Sequence, residues 1–273
     1  MDSLVIVWWR VVIAFLALGT YLKITRWNFS VSSKKQLWGI IGVGVLVALH
    51  WITFYKSIQL STASLGILCL STTTLHVTWL EPLLMKRTFL LSEFISGVII
   101  IGALVFVSGD FDATEYLALS IGLGSAVFAA LFSVFNAKLV QNIPSATISL
   151  YEFGTAILFL TLLLGLEGSL DWSLFQMTLS DLLWLLFLGT VCTSFAFLVI
   201  VDLVKRLGTF TVSLSINMEP VYTILLAIVI LNENQSLGYK FYVGAGIIVV
   251  VVIANAIIKY RMKRKNTHAF ERD

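Results

Sequence analysis

Five ionisable side chains lie inside long apolar stretches of this sequence, and their chemistry is the natural starting point. They are Arg10, His50, His76, Glu152 and Glu219. An ionisable group near the centre of a bilayer costs about 3 kcal/mol even on lenient insertion scales, so such a group usually has a partner and a function. These residues therefore predict a site for a charged ligand or a proton within a membrane.

Glu219 is followed by a proline in the middle of an apolar segment. Because Pro220 has no backbone N–H, the carbonyl of Ile216 loses its partner in the helix. That carbonyl, the Asn217 side chain and the Glu219 carboxyl group can bind an ammonium group or a proton near the membrane midplane. The alternative is that Pro220 is a packing kink and that Glu219 is buried protonated or paired with Arg10.

Glu152 and Arg10 are the other candidates with a full charge. Glu152 can attract a cationic group or carry a proton, or Ser149 or Tyr151 can satisfy it within the helix bundle. Arg10 can hold a substrate carboxylate in a bidentate grip. Alternatively, Arg10 forms a structural ion pair with an acidic residue, or extends its charged end toward the interface. His76 is expected to be a hydrogen-bonded bundle residue.

His50, Trp51 and Tyr55 lie in the second apolar segment. Residues four apart share a helix face, so His50 is predicted to lie beside Phe54, and Trp51 beside Tyr55. Either face can stack on a substrate or hydrogen-bond to it. The alternative is an aromatic belt at the membrane–water interface.

The composition indicates a membrane protein. Of 273 residues, 59% are hydrophobic and 12% are charged, whereas soluble domains carry about 25% charged residues. Stretches of 18 or more apolar residues are long enough to cross a bilayer as helices, and these are apolar all round, unlike barrel strands. The predicted spans are Leu4–Leu22, Leu37–Tyr55, Thr62–Leu84, Leu90–Val107, Tyr116–Leu139, Thr147–Leu166, Leu182–Val204, Phe210–Leu231 and Phe241–Ile258.

The composition also excludes several classes of protein. The net charge is +3, but the basic residues are spread over short loops and form no continuous face for a nucleic acid. Cys69 and Cys192 lie in apolar stretches and indicate no disulfide scaffold. The sequence contains no cofactor motif and no metal-ligand spacing, and its first residues do not resemble a cleaved signal peptide.

The basic residues predict the orientation in the membrane. Nearly all of the 18 Lys and Arg residues fall in loops on one side, whereas Lys56 and Lys240 fall on the other. Cytoplasmic loops carry the positive excess. The C-terminus is therefore predicted to be cytoplasmic, and Met1 to be outside.

A weak internal repeat organises the chain. An offset of 147 residues aligns Gly42 with Gly189 and Gly97 with Gly244, and it places the first four spans on the last four. The fifth span has no partner, so the chain is predicted to hold nine helices of a ten-helix, five-plus-five bundle, either through truncation or as a true nine-helix protein. Repeats with an odd number of spans insert in opposite directions, as in many secondary transporters.

The repeat divides the chain into a first repeat (1–109), a second repeat (110–258) and a basic cytoplasmic tail (259–273). The position that matches Pro220 in the first repeat is Thr73. The helix-weakening proline is therefore absent there, and the sequence does not support matching broken helices in the two repeats.

Several segments resemble one family of membrane proteins. TFTVSLSINMEPVYTILLAIVILNE (Thr209–Glu233) resembles the second EamA repeat of the drug/metabolite transporter superfamily, and HWITFYKSIQLSTASLG (His50–Gly66), CTSFAF (Cys192–Phe197) and Trp9-Arg10 followed by Ala14 resemble other family helices. The resemblance covers essentially the whole sequence, and only the first helix of the family has no counterpart in it. It implies a ten-helix carrier for amino acids or other small metabolites, with its site in a central cavity.

The sequence therefore predicts a secondary transporter in a bacterial inner membrane, an exporter or facilitator that works by alternating access. Its expected partners are a small-molecule substrate, with possible proton coupling, and the lipid bilayer. A channel or a membrane sensory module stays open as an alternative. An intramembrane enzyme is disfavoured because the histidines are scattered and no nucleophile has a base at a suitable spacing.

Overall fold

The protein is represented by a computed structural model that describes residues 2–27, 29–31, 33–85, 89–196, 199, 218–231 and 237–270. No strand occurs among these residues. Single turns of 3-10 helix occupy Ser108–Asp110 and Trp172–Phe175, and a π turn, Thr190–Phe195, continues α8. The helices are α1 (Ser3–Ile24), α2 (Lys34–Leu60), α3 (Ala63–Leu70), α4 (Thr73–Met85), α5 (Leu91–Val107), α6 (Ala113–Leu139), α7 (Ser145–Leu166), α8 (Leu179–Gly189), α9 (Glu219–Ile230) and α10 (Tyr239–Phe270).

The predicted spans are confirmed as apolar helices within the described residues, whereas 200–204 of the seventh span and 210–217 of the eighth lie outside the described residues. Six of them contain 20–27 residues and are apolar enough to cross a bilayer, with α3 and α4 together forming one of the six. The other three, α5, α8 with its π turn, and α9, are shorter apolar helices. The chain is thus an all-α polytopic membrane protein.

Threonine residues begin two of these helices. The Thr62 side chain accepts a hydrogen bond from the backbone N–H of Leu65, at 3.1 Å, before α3. Before α8, Thr178 and Asp181 each accept a hydrogen bond from the other's backbone N–H. These bonds satisfy N–H groups that have no partner inside the helix, so the sequence fixes where each helix starts.

The helix of the third predicted span is interrupted at Ser71 and Thr72. The sequence did not support a break here, because Thr73 stands where the second repeat has Pro220, and the structure corrects that expectation. The Ser71 hydroxyl donates to the carbonyl of Ile67 at 3.1 Å, and the Thr72 hydroxyl donates to that of Cys69 at 2.7 Å. Hydroxyls that bind carbonyls of the preceding turn compete with the backbone and favour a bend. Polar side chains thus replace proline here, and the 147-residue offset places this interruption at the start of α9.

The π turn after α8 redirects two hydroxyl groups. Thr193 donates to the carbonyl of Leu188, five residues earlier, at 2.7 Å. Ser194 donates to the carbonyl of Gly189 at 3.1 Å and to that of Ala14 on α1 at 2.9 Å. The wider turn therefore ties the end of α8 to α1.

The described chain divides into two compact units. Unit 1 comprises Met1–Lys56 and Val127–Gly208. In it α1 packs against α7, α8 and the π turn. The core at these contacts includes the buried side chains of Val11, Leu18 and Leu160.

Unit 2 comprises Ser57–Ala126 and Thr209–Asp273. In it α5 packs against α4 and α10, and α3 packs against α9. The core includes the buried side chains of Ile67, Ile100 and Ile248. Each unit therefore has its own apolar core.

Glycines that the offset aligns lie at close helix contacts in unit 2. A Cβ atom on Gly97 of α5 would overlap Leu75 of α4. A Cβ atom on Gly244 of α10 would overlap Val107 of α5. Both glycines allow helices to approach closely, as small residues do in membrane bundles.

Helices that the offset aligns also pack against each other. These pairs are α1 with α7 in unit 1 and α5 with α10 in unit 2. Each unit thus draws helices from both predicted repeats. The inverted orientation of the two repeats and the boundary at residue 110 stay predictions.

Candidate substrate-binding site

The Arg10 guanidinium group on α1 is held from three sides within unit 1. Its Nε donates to the Thr193 hydroxyl at 3.1 Å, and its Nη1 donates to the Tyr55 hydroxyl at 3.3 Å. Its Cζ lies 4.3 Å from the centre of the Trp51 ring and 5.8 Å from that of Tyr55. A cation over an aromatic face is attracted by the ring quadrupole. Three helical elements therefore fix this charge.

A close contact between α1 and α8 positions this group. A Cβ atom on Gly189 would lie 2.6 Å from Ile13 and 3.1 Å from the Arg10 carbonyl oxygen, so only glycine fits. The π turn that follows then presents Thr193 to the Arg10 side chain. Arg10, Trp51 and Tyr55 were predicted from the sequence, whereas Thr193 was missed because nothing in the sequence indicates a π turn.

The outer edge of the Arg10 guanidinium has hydrogen-bonding capacity to spare. Arginine has five N–H donors in a planar fork, and Thr193 and Tyr55 accept two of them. Among the described residues no carboxylate pairs with Arg10, so the predicted alternative of a structural ion pair with an acidic residue is not found there. The remaining edge of the fork suits a carboxylate or another oxyanion.

Aromatic side chains on α2 follow the predicted faces. His50 is buried and stacks on Phe54, with ring centres 6.0 Å apart, and its ring lies 5.4 Å from that of Phe132 on α6. Trp51 and Tyr55 both face Arg10. The Trp51 ring also packs against that of Phe153, with ring centres 6.2 Å apart. The spacing of four residues is confirmed, and the role of these residues in binding stays a prediction.

Glu152 lies on α7 with 4% of its surface exposed. Its carboxyl group accepts a hydrogen bond from the side-chain amide of Asn136 on α6. Neither Ser149 nor Tyr151 satisfies it, since the Tyr151 hydroxyl donates to the carbonyl of Phe29 at 3.3 Å. The predicted partners were therefore wrong, and Asn136, the actual partner, was missed.

Glu219 and Pro220 form the first turn of α9 in unit 2, after Met218. Proline suits this position because the first N–H groups of a helix have no partner inside it. Pro220 is thus a helix-start residue among the described residues and not a kink within α9. Glu219 is exposed, and its carboxylate lies at the positive end of the helix dipole. Asn217 lies outside the described residues.

Glu93 on α5 is a buried acidic residue that the sequence analysis overlooked. One of its carboxyl oxygens accepts a hydrogen bond from the Thr78 hydroxyl of α4 at 3.3 Å. It stands in the first turn of its helix, where a carboxylate is stabilised. Glu93 is thus held as a structural residue between α4 and α5. The predicted bundle residue His76 is half-buried on α4.

A cavity of about 430 Å³ lies on unit 1, away from these groups. It is lined by Trp8, Leu170, Asp171, Trp172, Leu174 and Phe175. It contains none of the residues predicted to bind a ligand. Over the described part of the chain, no group of three or more His, Cys, Asp or Glu residues is placed to hold a metal ion.

The fold and the site define a class: a polytopic helical membrane protein with charged groups inside its spans. The model of the EamA-like transporter family matches residues 116–256, which is more than half of the chain. The chain belongs to the EamA-like transporter family.

Comparison with solved structures supports the same fold. A structure described as "Crystal structure of protein" superimposes with a TM-score of 0.65 at 14% sequence identity, covering 97% of this chain and 89% of that chain. At this identity the likeness concerns the fold alone. A search of curated proteins found no match.

Proposed function

We propose that this protein is a secondary transporter that exports, or facilitates the passage of, small metabolites such as amino acids. It works by alternating access around a cavity at the membrane midplane, without ATP. Membership of a transporter family and the apolar spans support this proposal. One observation carries the choice of substrate chemistry, namely the edge of the Arg10 guanidinium that no carboxylate of the described residues pairs with.

The physical argument starts from the cost of that charge. Arginine keeps its proton at any relevant pH, so it cannot become neutral to lower the cost of burial. Thr193, Tyr55 and Trp51 orient the group, but none of them brings a negative charge. A substrate carboxylate that binds the free edge in a bidentate manner neutralises it. Arg10 is therefore the proposed anion-binding residue.

Two acidic residues have separate roles in this proposal, Glu152 in unit 1 and Glu219 in unit 2. Glu219, at the start of α9 and beside Asn217 in sequence, receives the substrate's amino group or a coupling proton. Glu152 attracts a cationic group or carries a proton. His50 belongs to the aromatic face next to this region of unit 1.

We place the protein in a bacterial inner membrane, with its C-terminus in the cytoplasm and Met1 outside. The distribution of the 18 Lys and Arg residues over the loops supports the orientation, and membership of the EamA-like transporter family supports the choice of membrane. The basic residues after Ile258 then lie near the anionic surface of the cytoplasmic leaflet.

The test is a comparison of metabolites in the medium of cells that express the wild type or Glu219→Gln. The wild type is expected to change a small group of related metabolites, and Glu219→Gln is expected to cancel the change with an equal amount of folded protein in the membrane. Glu167→Gln is the matched control, because Glu167 is exposed at the end of α7.

Two results would count against the proposal. If the wild type changes no metabolite pool although it is inserted, the exporter function is lost. If Glu219→Gln reduces folded protein while Glu167→Gln does not, Glu219 is structural and the assigned role is wrong.

A further inference from the structure

Glu152 and Asn136 form a polar pair in unit 1 with an excess of acceptors. The Asn136 amide donates to one carboxyl oxygen of Glu152. The other carboxyl oxygen, Oε1, and the amide oxygen of Asn136, Oδ1, are both buried and have no hydrogen-bond partner among the described residues. Buried polar atoms without a partner are rare, and each calls for an explanation. The two unpartnered oxygens are both acceptors, so the pair lacks one hydrogen atom that could act as their donor.

The space around the pair limits what can supply that hydrogen. Neither oxygen presents surface that a water molecule could touch. A Cβ atom on Gly44 of α2 would lie 2.9 Å from the Glu152 carbonyl oxygen and 3.1 Å from its Cα, so α2 closes tightly over this part of α7. An ammonium group is as large as a water molecule and does not fit. A proton needs no cavity.

We propose that the Glu152–Asn136 pair is a proton-binding site, with the proton on the Glu152 carboxyl group in this conformation. Protonation removes an uncompensated charge from the membrane interior, where such a charge is costly. It also turns a carboxyl oxygen into a donor for a neighbouring acceptor such as Asn136 Oδ1. One proton thus satisfies both unpartnered atoms.

The role of this site in transport rests on the proposed function. When the helices around Glu152 separate and water reaches the carboxyl group, the acid transfers its proton to water, giving a carboxylate and a hydronium ion. The reverse transfer reloads the site before the helices close. Only O–H bonds form and break, and no other reactant is needed. Glu152 is therefore a neutral acid while the helices are closed around it.

Other ionisable groups on the helices packed around Glu152 lie at different levels. On α1, Gly19 faces Leu150 and Phe15 faces Gly154, so Glu152 is opposite apolar positions of that helix. On α2, Gly44 faces it directly. The titratable and charged groups of these elements are Arg10, Tyr21 and Lys23 on α1, Lys34, Lys35, His50, Tyr55 and Lys56 on α2, Glu115, Tyr116 and Lys138 on α6 and Tyr151 on α7.

These groups leave the proposed assignment intact. At 1.5 Å per residue, His50 lies about 9 Å along α2 from Gly44, the residue that faces Glu152. On α1, Arg10 lies farther than Phe15 from the level of Glu152. The Tyr151 hydroxyl is engaged with the Phe29 carbonyl. None of them offers Oε1 a hydrogen bond. Titration of the pair is therefore assigned to Glu152.

Infrared spectroscopy of the purified full-length protein tests proton binding without any substrate. At neutral pH the wild type is expected to show a protonated-carboxyl C=O band that shifts in D₂O and that Glu152→Gln lacks. Glu93→Gln is the matched control and keeps this band, because Glu93 lies on α5 beside Thr78. Asn136→Ala keeps the carboxyl group but moves the band to higher frequency, because the hydrogen bond from the amide is lost.

Each outcome has a defined meaning. Identical carboxyl bands in the wild type and Glu152→Gln show that Glu152 is ionised, and they overturn the inference. Loss of the band in Glu152→Gln, with the Asn136→Ala shift, supports it even if the medium of expressing cells shows no change in metabolites. In that last case the proposed function fails while proton binding stands.

Discussion

The replacement Arg10→Lys separates the role of the guanidinium fork from that of its charge. Lysine keeps the positive charge and can remain over the Trp51 ring, which now lies 4.3 Å from the guanidinium carbon. It has no Nε donor for Thr193 and no planar fork for a bidentate oxyanion. The variant is therefore expected to fold and to bind substrate weakly.

The size of the effect follows from the bonds lost. A hydrogen bond to a charged group contributes about 1.5–3 kcal/mol. Losing one of the two substrate bonds therefore raises Kd by roughly 10- to 150-fold, since each 1.4 kcal/mol is about a factor of ten. We expect KM to rise by this factor in flux measurements, with a smaller change in kcat.

The assay is flux into proteoliposomes with the metabolite that the wild type releases into the medium. Arg26→Lys is the control, because Arg26 is exposed and the same substitution there leaves the site unchanged. The amount of protein incorporated and its Tm are measured alongside. An unchanged KM in folded Arg10→Lys would refute the assignment of Arg10 to the substrate's anionic group.

Two further predictions concern the hydroxyl that positions Arg10 and the packing of unit 2. Thr193→Val removes the acceptor for Arg10 and is expected to raise KM by about tenfold, whereas Thr190→Val, which removes only a bond to its own helix, leaves KM unchanged. Equal effects of the two would show that the π turn matters only for folding. Gly244→Ala forces a methyl group onto Val107 and is expected to destabilise the protein by about 1–3 kcal/mol, seen as a lower Tm. In Gly246→Ala the added methyl group meets no atom within 4 Å, and Tm is expected to stay unchanged. If Gly244→Ala had the same Tm as Gly246→Ala, the close contact between Gly244 and Val107 would be contradicted.

Much of the fold is predictable from the sequence because the membrane imposes simple rules. A span needs about 20 apolar residues, so length and hydropathy located the nine apolar helices that the described residues form. The helical period predicted that His50 lies beside Phe54 and that Trp51 shares a face with Tyr55. The same reasoning marked Arg10 and Glu152 as costly inside the membrane.

The missed features depend on contacts between distant parts of the chain. Asn136 and Glu152 are adjacent only because α6 and α7 meet, and no local pattern links them. Thr193 reaches Arg10 through a π turn, a local departure from the helical period. The interruption at Ser71 and Thr72 comes from hydroxyl bonds to the backbone, which a search for proline overlooks.

The most direct test of the account is a counterflow measurement with the purified protein in proteoliposomes. Vesicles are loaded with the metabolite that expressing cells release, and entry of its labelled form is followed from outside. A carrier with alternating access is predicted to give saturable entry that internal metabolite accelerates. Entry that rises linearly with concentration and does not respond to internal metabolite would contradict the carrier mechanism and indicate a channel.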